Sequence, residues 1–170
     1  MSTLSPDTVL LGLLEAQSCH GYQLLEHFRS PNQLAHIWNL STSQLYAILK
    51  RLERLELLDG REEDSFDAPM RTVYWLTPRG SRYFYAWLND PYPSASTRHI
   101  RTEFLSRLYL AQMLTQPIAP IIAAQREAVQ SQRTALIQQR DSVSHGPGYL
   151  SLDLRLREMD VISEWLVLCA

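Results

Sequence analysis

The residues of this 170-residue chain whose types and spacing could do chemistry are concentrated between Ser41 and Arg54. Ser41, Thr42, Ser43, Gln44, Tyr46, Ala47, Lys50, Arg51 and Arg54 bring together hydroxyls, an amide and three cations against one anion, Glu53. Such groups suit recognition: hydrogen bonds to base edges and ion pairs to phosphates. Leu45, Ile48, Leu49, Leu52 and Leu55 recur at steps of three and four, so the same segment has an apolar face as a helix. Ser41 stands where an N-cap belongs, and Gln44 three residues on completes a capping box. A helix of this kind anchors itself on a small core and offers its first turns to a partner, as a helix entering the DNA major groove must. An ordinary amphipathic helix with a solvated polar face has the same pattern, so the neighbouring elements decide.

Catalytic chemistry has weaker support. Cys19-His20 pairs a thiol with an imidazole, but no third orienting group and no phosphate-binding glycine loop accompanies it. His20, His27, His36, His99 and His145 are scattered, and His20 and His27 lie seven residues apart, too far for ligands on adjacent helical turns. The expectation is no enzyme, no metal and no cofactor. Cys19 falls in what reads as a tight helix-to-helix turn, with His20 stabilising it.

The flanking elements follow a recognisable order. Thr8 to Glu15 is dense in aliphatics and predicts a buried first helix; His20-Gly21-Tyr22 opens a second, with Tyr22, Leu25 and Phe28 roughly on one side, and Pro31-Asn32 break it before Trp38. After the helix from Ser41, Leu57 to Arg61 reads as extended, and Glu62 to Pro69 as a polar turn-rich stretch. Arg71 to Thr77 has the β-branched and aromatic content of a strand. Thr77-Pro78 then caps a helix reaching Leu88, expected to bury Tyr83, Phe84, Trp87 and Leu88. The predicted fold is mainly α with a small two-stranded wing: a winged helix-turn-helix over residues 1–90.

These residues resemble the PadR family of bacterial transcription regulators. The matching pieces are Leu11-Gly12-Leu13-Leu14, His20-Gly21-Tyr22, Ser41 with Leu45-Tyr46, Leu49-Lys50-Arg51-Leu52-Glu53, Arg71 with Val73-Tyr74, and Leu76-Thr77-Pro78-Arg79-Gly80. The resemblance continues more weakly through Glu103 to Leu110 and the closing Leu152–Leu168 stretch. It implies a homodimer that represses a promoter and is released by a signal. Relatives use aromatic cavities for flat aromatic compounds, so Trp38, Trp87 and Trp165 are candidate effector contacts, although tryptophan is more often plain core. Three departures stand out. Glu56 replaces a usual glycine at the left-handed end of the recognition helix, a strain of about 1 kcal/mol unless the helix runs on. Ala47 replaces a frequent proline. The wing tip is acidic (Glu62, Glu63, Asp64, Asp67), which leaves wing contacts with DNA to Arg61 and Arg71, with Tyr22 a further candidate at the second helix.

Charge is the main objection. The formal total is −2, and residues 1–90 hold eight Lys and Arg against eleven Asp and Glu. Local charge answers it: Lys50, Arg51 and Arg54 act within a Debye length of roughly 8 Å, where the chain total matters little. Lys50 is the only lysine; the other fifteen cations are arginine, suited to bidentate contacts but also expected from a GC-rich genome. Apolar content of 45% is ordinary for a folded protein, no run approaches a membrane span, and two distant cysteines suit a reduced cytoplasmic setting.

Pro91, Pro93, Ser94 and Ser96 mark residues 91–97 as a linker to a helical dimerisation region, 98–170. Phe104 and Leu108 line its first helix. Ile118, Ile122, Val129, Leu136 and Val143 form a seam in the next, alternating with Gln125, Gln132 and Gln139, too wet for an isolated coiled coil. The last helix is apolar on two sides, one bearing Leu154, Val161, Trp165 and Leu168. Two apolar sides need two neighbours, and a twofold partner supplies the second; a compact intramolecular bundle is the competing reading. Two functions stay open: a sequence-specific homodimeric regulator of double-stranded DNA, or a winged-helix protein-interaction module without specific DNA binding.

Overall fold

The computed structural model describes residues 4–65 and 68–169, with backbone alone at 64, 65 and 68–70. Two compact units divide the chain: Met1–Asn89 with Leu105–Gln116, and Asp90–Phe104 with Pro117–Ala170. This differs from the linear division into 1–90, 91–97 and 98–170. Leu105–Gln116 packs with the first unit because Leu110 and Ala111 are fully buried there, Leu110 against the bare backbone of Gly12.

In the first unit, α1 (Asp7–Ala16) buries every residue from Val9 to Leu14. Each leucine so placed contributes roughly 2 kcal/mol. A two-residue strand β1 (Cys19–His20) leads directly into α2 (Gly21–Arg29), and after a loop comes α3 (Thr42–Arg54). The hairpin β2 (Leu58–Ser65) and β3 (Ala68–Leu76) precedes α4 (Pro78–Leu88), capped by the Thr77 side chain with Pro78 in its first turn. The sheet has three antiparallel strands in the order β1-β3-β2. The two-stranded wing is present as the β2–β3 hairpin, and the turn expected at Cys19-His20 is corrected to a third strand beside it. Two residues are too few to carry an alternating pattern, but they pair with Tyr74 and Val73 of β3. The hairpin arms also extend further than read, with Glu62 opposite Thr72 and Glu63 opposite Arg71. Backbone ladder bonds sustain polar residues there because their side chains are exposed.

Three expected core positions prove otherwise. Leu55 caps the end of α3 and is 48% exposed; Tyr83 is 53% exposed; Trp87 is only half-buried. Leu55 lies past the last helical turn, and Tyr83 points away from the face that Phe84 and Leu88 bury. At the end of α3, Glu56 does adopt the left-handed conformation, φ 57°. Its N–H bonds the Glu53 carbonyl and the Leu57 N–H bonds the Leu52 carbonyl, a complete Schellman closure with Leu52 and Leu57 both buried. Gly80 is required where it stands: a Cβ there would lie 1.8 Å from the Leu57 carbonyl oxygen.

The second unit begins with the segment from Asp90 and a helix α5 (Thr97–His99) capped by Ser96, which opens into a π-helical turn, Ile100–Phe104; the helix α6 (Leu105–Met113) that follows in the chain belongs to the first unit. Then come α7 (Ala119–Asp141) and α8 (Pro147–Val167). The last helix starts five residues before Leu152, with Pro147 in its first turn. Arg126 bonds the Leu166 carbonyl at 2.9 Å, Arg133 meets Asp160 at 2.6 Å and Arg140 meets Asp153 at 3.6 Å, an antiparallel register set by arginines at seven-residue steps. Between α7 and α8 lie Ile122, Val129, Leu136, Leu156, Met159 and Ile162. Gln125, one of the expected wet positions, is buried, and its amide donates to the Ser94 carbonyl at 3.1 Å.

Candidate nucleic-acid interface

The candidate surface is built on α3. The Ser41 hydroxyl accepts the Gln44 N–H (3.2 Å) and the Gln44 side-chain oxygen accepts the Ser41 N–H (2.9 Å), so the capping box is closed in both directions. Leu45, Ile48, Leu49 and Leu52 are buried, which turns Ser41, Thr42, Ser43, Gln44, Tyr46, Ala47, Lys50 and Arg54 to the exposed side. The Ser43 hydroxyl lies 3.1 Å from that of Ser41, and Arg29 of α2 reaches the Thr42 hydroxyl at 3.4 Å.

Arg51 is the exception among the cations. It does not lie free along the strip: its Nε and Nη2 donate to the two Asp7 carboxylate oxygens at 3.1 and 2.5 Å, and Nη2 also reaches the Ser5 hydroxyl at 3.1 Å. The pair fastens the last turn of α3 to the start of α1, so Arg51, expected as a DNA-backbone contact, is held in an ion pair within this chain. Asp7 is the residue that sequence reasoning missed. Forty-four positions separate the partners, and no local pattern announces such a pair. A cleft of about 380 Å³ opens beside this tether, with Pro6, Trp38 and Leu40 on one side and Gln44 and Ala47 on the other.

Tyr46, Tyr22 and Arg71 extend the surface beyond α3. The Tyr46 ring lies so close to Gly21 that a Cβ there would sit 2.9 Å from it, and a larger residue would push the exposed ring aside. Tyr22, next in sequence, is 48% exposed rather than aligned with buried Leu25 and Phe28. It stacks on His20, with centroids 5.6 Å apart, and Arg71 of β3 holds its guanidinium 5.3 Å from the Tyr22 ring centre. His20 Nδ1 lies 3.2 Å from the Thr72 carbonyl. Arg61, Glu62 and Glu63 are exposed on the wing. Asp67 and the Asp64 side chain lie outside the described residues, so the acidity of the tip rests on Glu62 and Glu63.

Burial pushes the thiol of Cys19, next to this cluster, up to about 11, which disfavours the reactive thiolate. Among the described residues no group of His, Cys, Asp and Glu is arranged to hold a metal ion, and no helix is long and apolar enough to cross a membrane.

The three tryptophans have their own packing. Trp38 is half-buried and donates its indole N–H to Ser106 Oγ at 2.8 Å. Trp87 lies against Phe84 (centroids 6.2 Å apart) and under the Arg107 guanidinium. In the second unit, Trp165 meets Phe104 edge-on at 6.0 Å. The proposed dimerisation residues separate into two sets. Phe104, Ile122 and Val129 are 1–3% exposed within a single chain and so belong to its core, while Leu108, Ile118 and Trp165 are half-buried. Leu154, Val161 and Leu168 are 61, 65 and 82% exposed and lie at seven-residue steps along α8.

A helix-loop-helix whose capped second member is displayed beside a small antiparallel sheet defines the winged helix-turn-helix class. Residues 10–86 match the model of the transcriptional regulator PadR-like family, so that segment is a PadR-like domain. It is 26% identical over 107 residues to the negative transcriptional regulator PadR of Bacillus subtilis (strain 168); the match covers 63% of this chain and 57% of that protein. The chain therefore spans about half the length of the curated relative it matches. Among solved structures it is similar to Bacillus subtilis PadR in complex with operator DNA (23% identity, 94% of this chain and 93% of that one, TM-score 0.49). It is similar also to the same regulator in complex with p-coumaric acid (22% identity, 95% and 94%, TM-score 0.45).

Proposed function

We propose that the chain is a sequence-specific DNA-binding repressor acting as a homodimer on an inverted repeat. The observation that carries this is the sorting of α3: its aliphatic side is buried, while Ser43, Gln44, Tyr46, Ala47, Lys50 and Arg54 are all displayed from a fully capped start. Ser43, Gln44 and Ala47 face the bases, Lys50 and Arg54 face the phosphates, and Tyr22 with Arg71 adds a contact from the base of the wing; Arg61 is a further phosphate candidate. Two α3 helices related by a twofold axis would meet successive major grooves, roughly 34 Å apart. The exposed α8 row is where the second copy docks. A small aromatic compound is the release signal in this reading; quenching of tryptophan fluorescence by a phenolic acid tests that.

The main test is fluorescence anisotropy of the full chain on the DNA upstream of its own gene, at several salt concentrations. Lys50→Ala and Arg54→Ala should each weaken binding and reduce the slope of log K against log salt by about 0.9. Unchanged slopes would remove α3 from the interface. The second reading, a protein-interaction module, is favoured by exposed Glu62 and Glu63, and predicts that no sequence competes better than bulk DNA.

A further inference from the structure

We infer that Gln44 reads its base as a hydrogen-bond donor alone, so that each half-site carries an acceptor edge, guanine or the O4 of thymine, beneath the first turns of α3. The inference rests on the DNA-binding reading above and specifies its chemistry.

A glutamine free at both ends of its amide reads adenine bidentately, giving a proton to N7 and accepting one from N6. Gln44 is not free at both ends. Its Oε1 accepts the Ser41 N–H at 2.9 Å, and its own N–H returns the bond to Ser41 Oγ at 3.2 Å. The oxygen keeps a second lone pair, but it is held against the Ser41 N–H at the helix start, so presenting it beside the amine to one adenine would require the side chain to turn and open the capping box. The amide nitrogen has no acceptor among the described residues and remains the end available for recognition. Its two protons match the O6 and N7 of guanine or the O4 of thymine, and meet a repelling donor on cytosine N4.

The neighbours sharpen the preference. The Ser43 hydroxyl lies 3.1 Å from that of Ser41 at the helix start, where it competes little with the amide. Ala47, one turn on and exposed, presents a bare methyl three residues from Gln44 on the same helical side. A methyl adds apolar contact with the C5-methyl of thymine and offers no hydrogen bond to any base. The pair Gln44–Ala47 therefore describes a step of one acceptor edge beside a thymine.

The test is selection from a randomised duplex library with the full wild-type chain and with Gln44→Glu. Glutamate is the more usual third residue of a capping box, so the variant keeps an oxygen for the Ser41 N–H and its thermal midpoint should hold. Its outward end becomes an acceptor. The wild type should enrich guanine or thymine at one position per half-site. Gln44→Glu should shift that position to a donor-bearing base, cytosine or adenine, by roughly tenfold in relative affinity with the other positions unchanged. Identical preferences at every position in the two proteins would overturn the inference. So would a wild type that selects adenine there and loses about tenfold on purine lacking the N6 amine. A wild type that enriches no sequence at all overturns the DNA-binding reading itself, which separates the two failures.

Discussion

Arg51 and Asp7 form a two-pronged ion pair, 2.5 and 3.1 Å, that joins the last turn of the displayed helix α3 to the first turn of α1. The side chains are 43 and 24% exposed, so the pair stabilises the fold by about 1 kcal/mol or less. Its larger effect is on charge, since it neutralises one cation of the proposed DNA-binding surface. Asp7→Asn should release that cation, raising low-salt DNA affinity and steepening the salt slope by about 0.9. Arg51→Ala should leave the slope near that of the wild type. Anisotropy titrations at four salt concentrations distinguish these outcomes; a slope for Arg51→Ala as shallow as for Lys50→Ala would mean the pair opens on binding.

Glu56 holds a left-handed conformation that favours glycine, and its exposed bond to Arg79 (3.2 Å) adds little in return. Glu56→Gly should therefore stabilise the first unit by about 1 kcal/mol, read as a higher midpoint in urea. An unchanged or lower midpoint would mean that the Thr77 hydroxyl, which donates to the Glu56 carbonyl at 2.7 Å, depends on the glutamate side chain.

His27 of α2 lies 3.0 Å from the Tyr109 hydroxyl of α6, and burial lowers its proton affinity below that of an ordinary histidine, a hydrogen bond with Gln33 partly opposing this. Such a group binds fewer protons folded than unfolded. Its contribution to stability is complete above the unfolded value of about 6.5 and is lost as the pH falls toward the lowered folded value. Thermal melts should show a larger drop in midpoint from pH 7 to pH 5 for the wild type than for His27→Gln. Parallel curves would show that the ring takes up its proton without strain.

The row Leu154, Val161 and Leu168 separates association from folding. Leu154→Glu with Val161→Glu should leave the circular dichroism spectrum intact and shift the sedimentation coefficient to that of a monomer. Phe104→Ala, at a core position, should instead lower stability by 3–5 kcal/mol, an order-of-magnitude figure for a buried phenylalanine. If the double variant sediments like the wild type, the α8 row is not a docking surface for a second copy.

Much of this architecture is legible in the residues. The capping box at Ser41 and Gln44, the Thr77-Pro78 start and the aliphatic spacing of α3 are local signals, and local signals survive into the fold because each is satisfied within a few residues. What escapes is long-range. The partner of Arg51 lies in another helix, the third strand is two residues long, and Leu105–Gln116 returns to the first unit across a π-helical turn. The seam of α7 shows the same limit: heptad spacing identifies Ile122 and Val129 as buried but cannot say whether the burying surface belongs to this chain or another. Here it is α8 of the same chain, fixed by Arg126, Arg133 and Arg140.

The two residues of β1 make the hairpin and α2 a single lever. Val73 and Tyr74 are paired with the backbone immediately preceding Gly21, so the wing and the first turn of α2 share one strand register. Lengthening the hairpin beyond Glu63 would add only reach. Inserting a single residue between Ser18 and Gly21 would break that register and uncouple the wing from α2, while α1 keeps its own buried face.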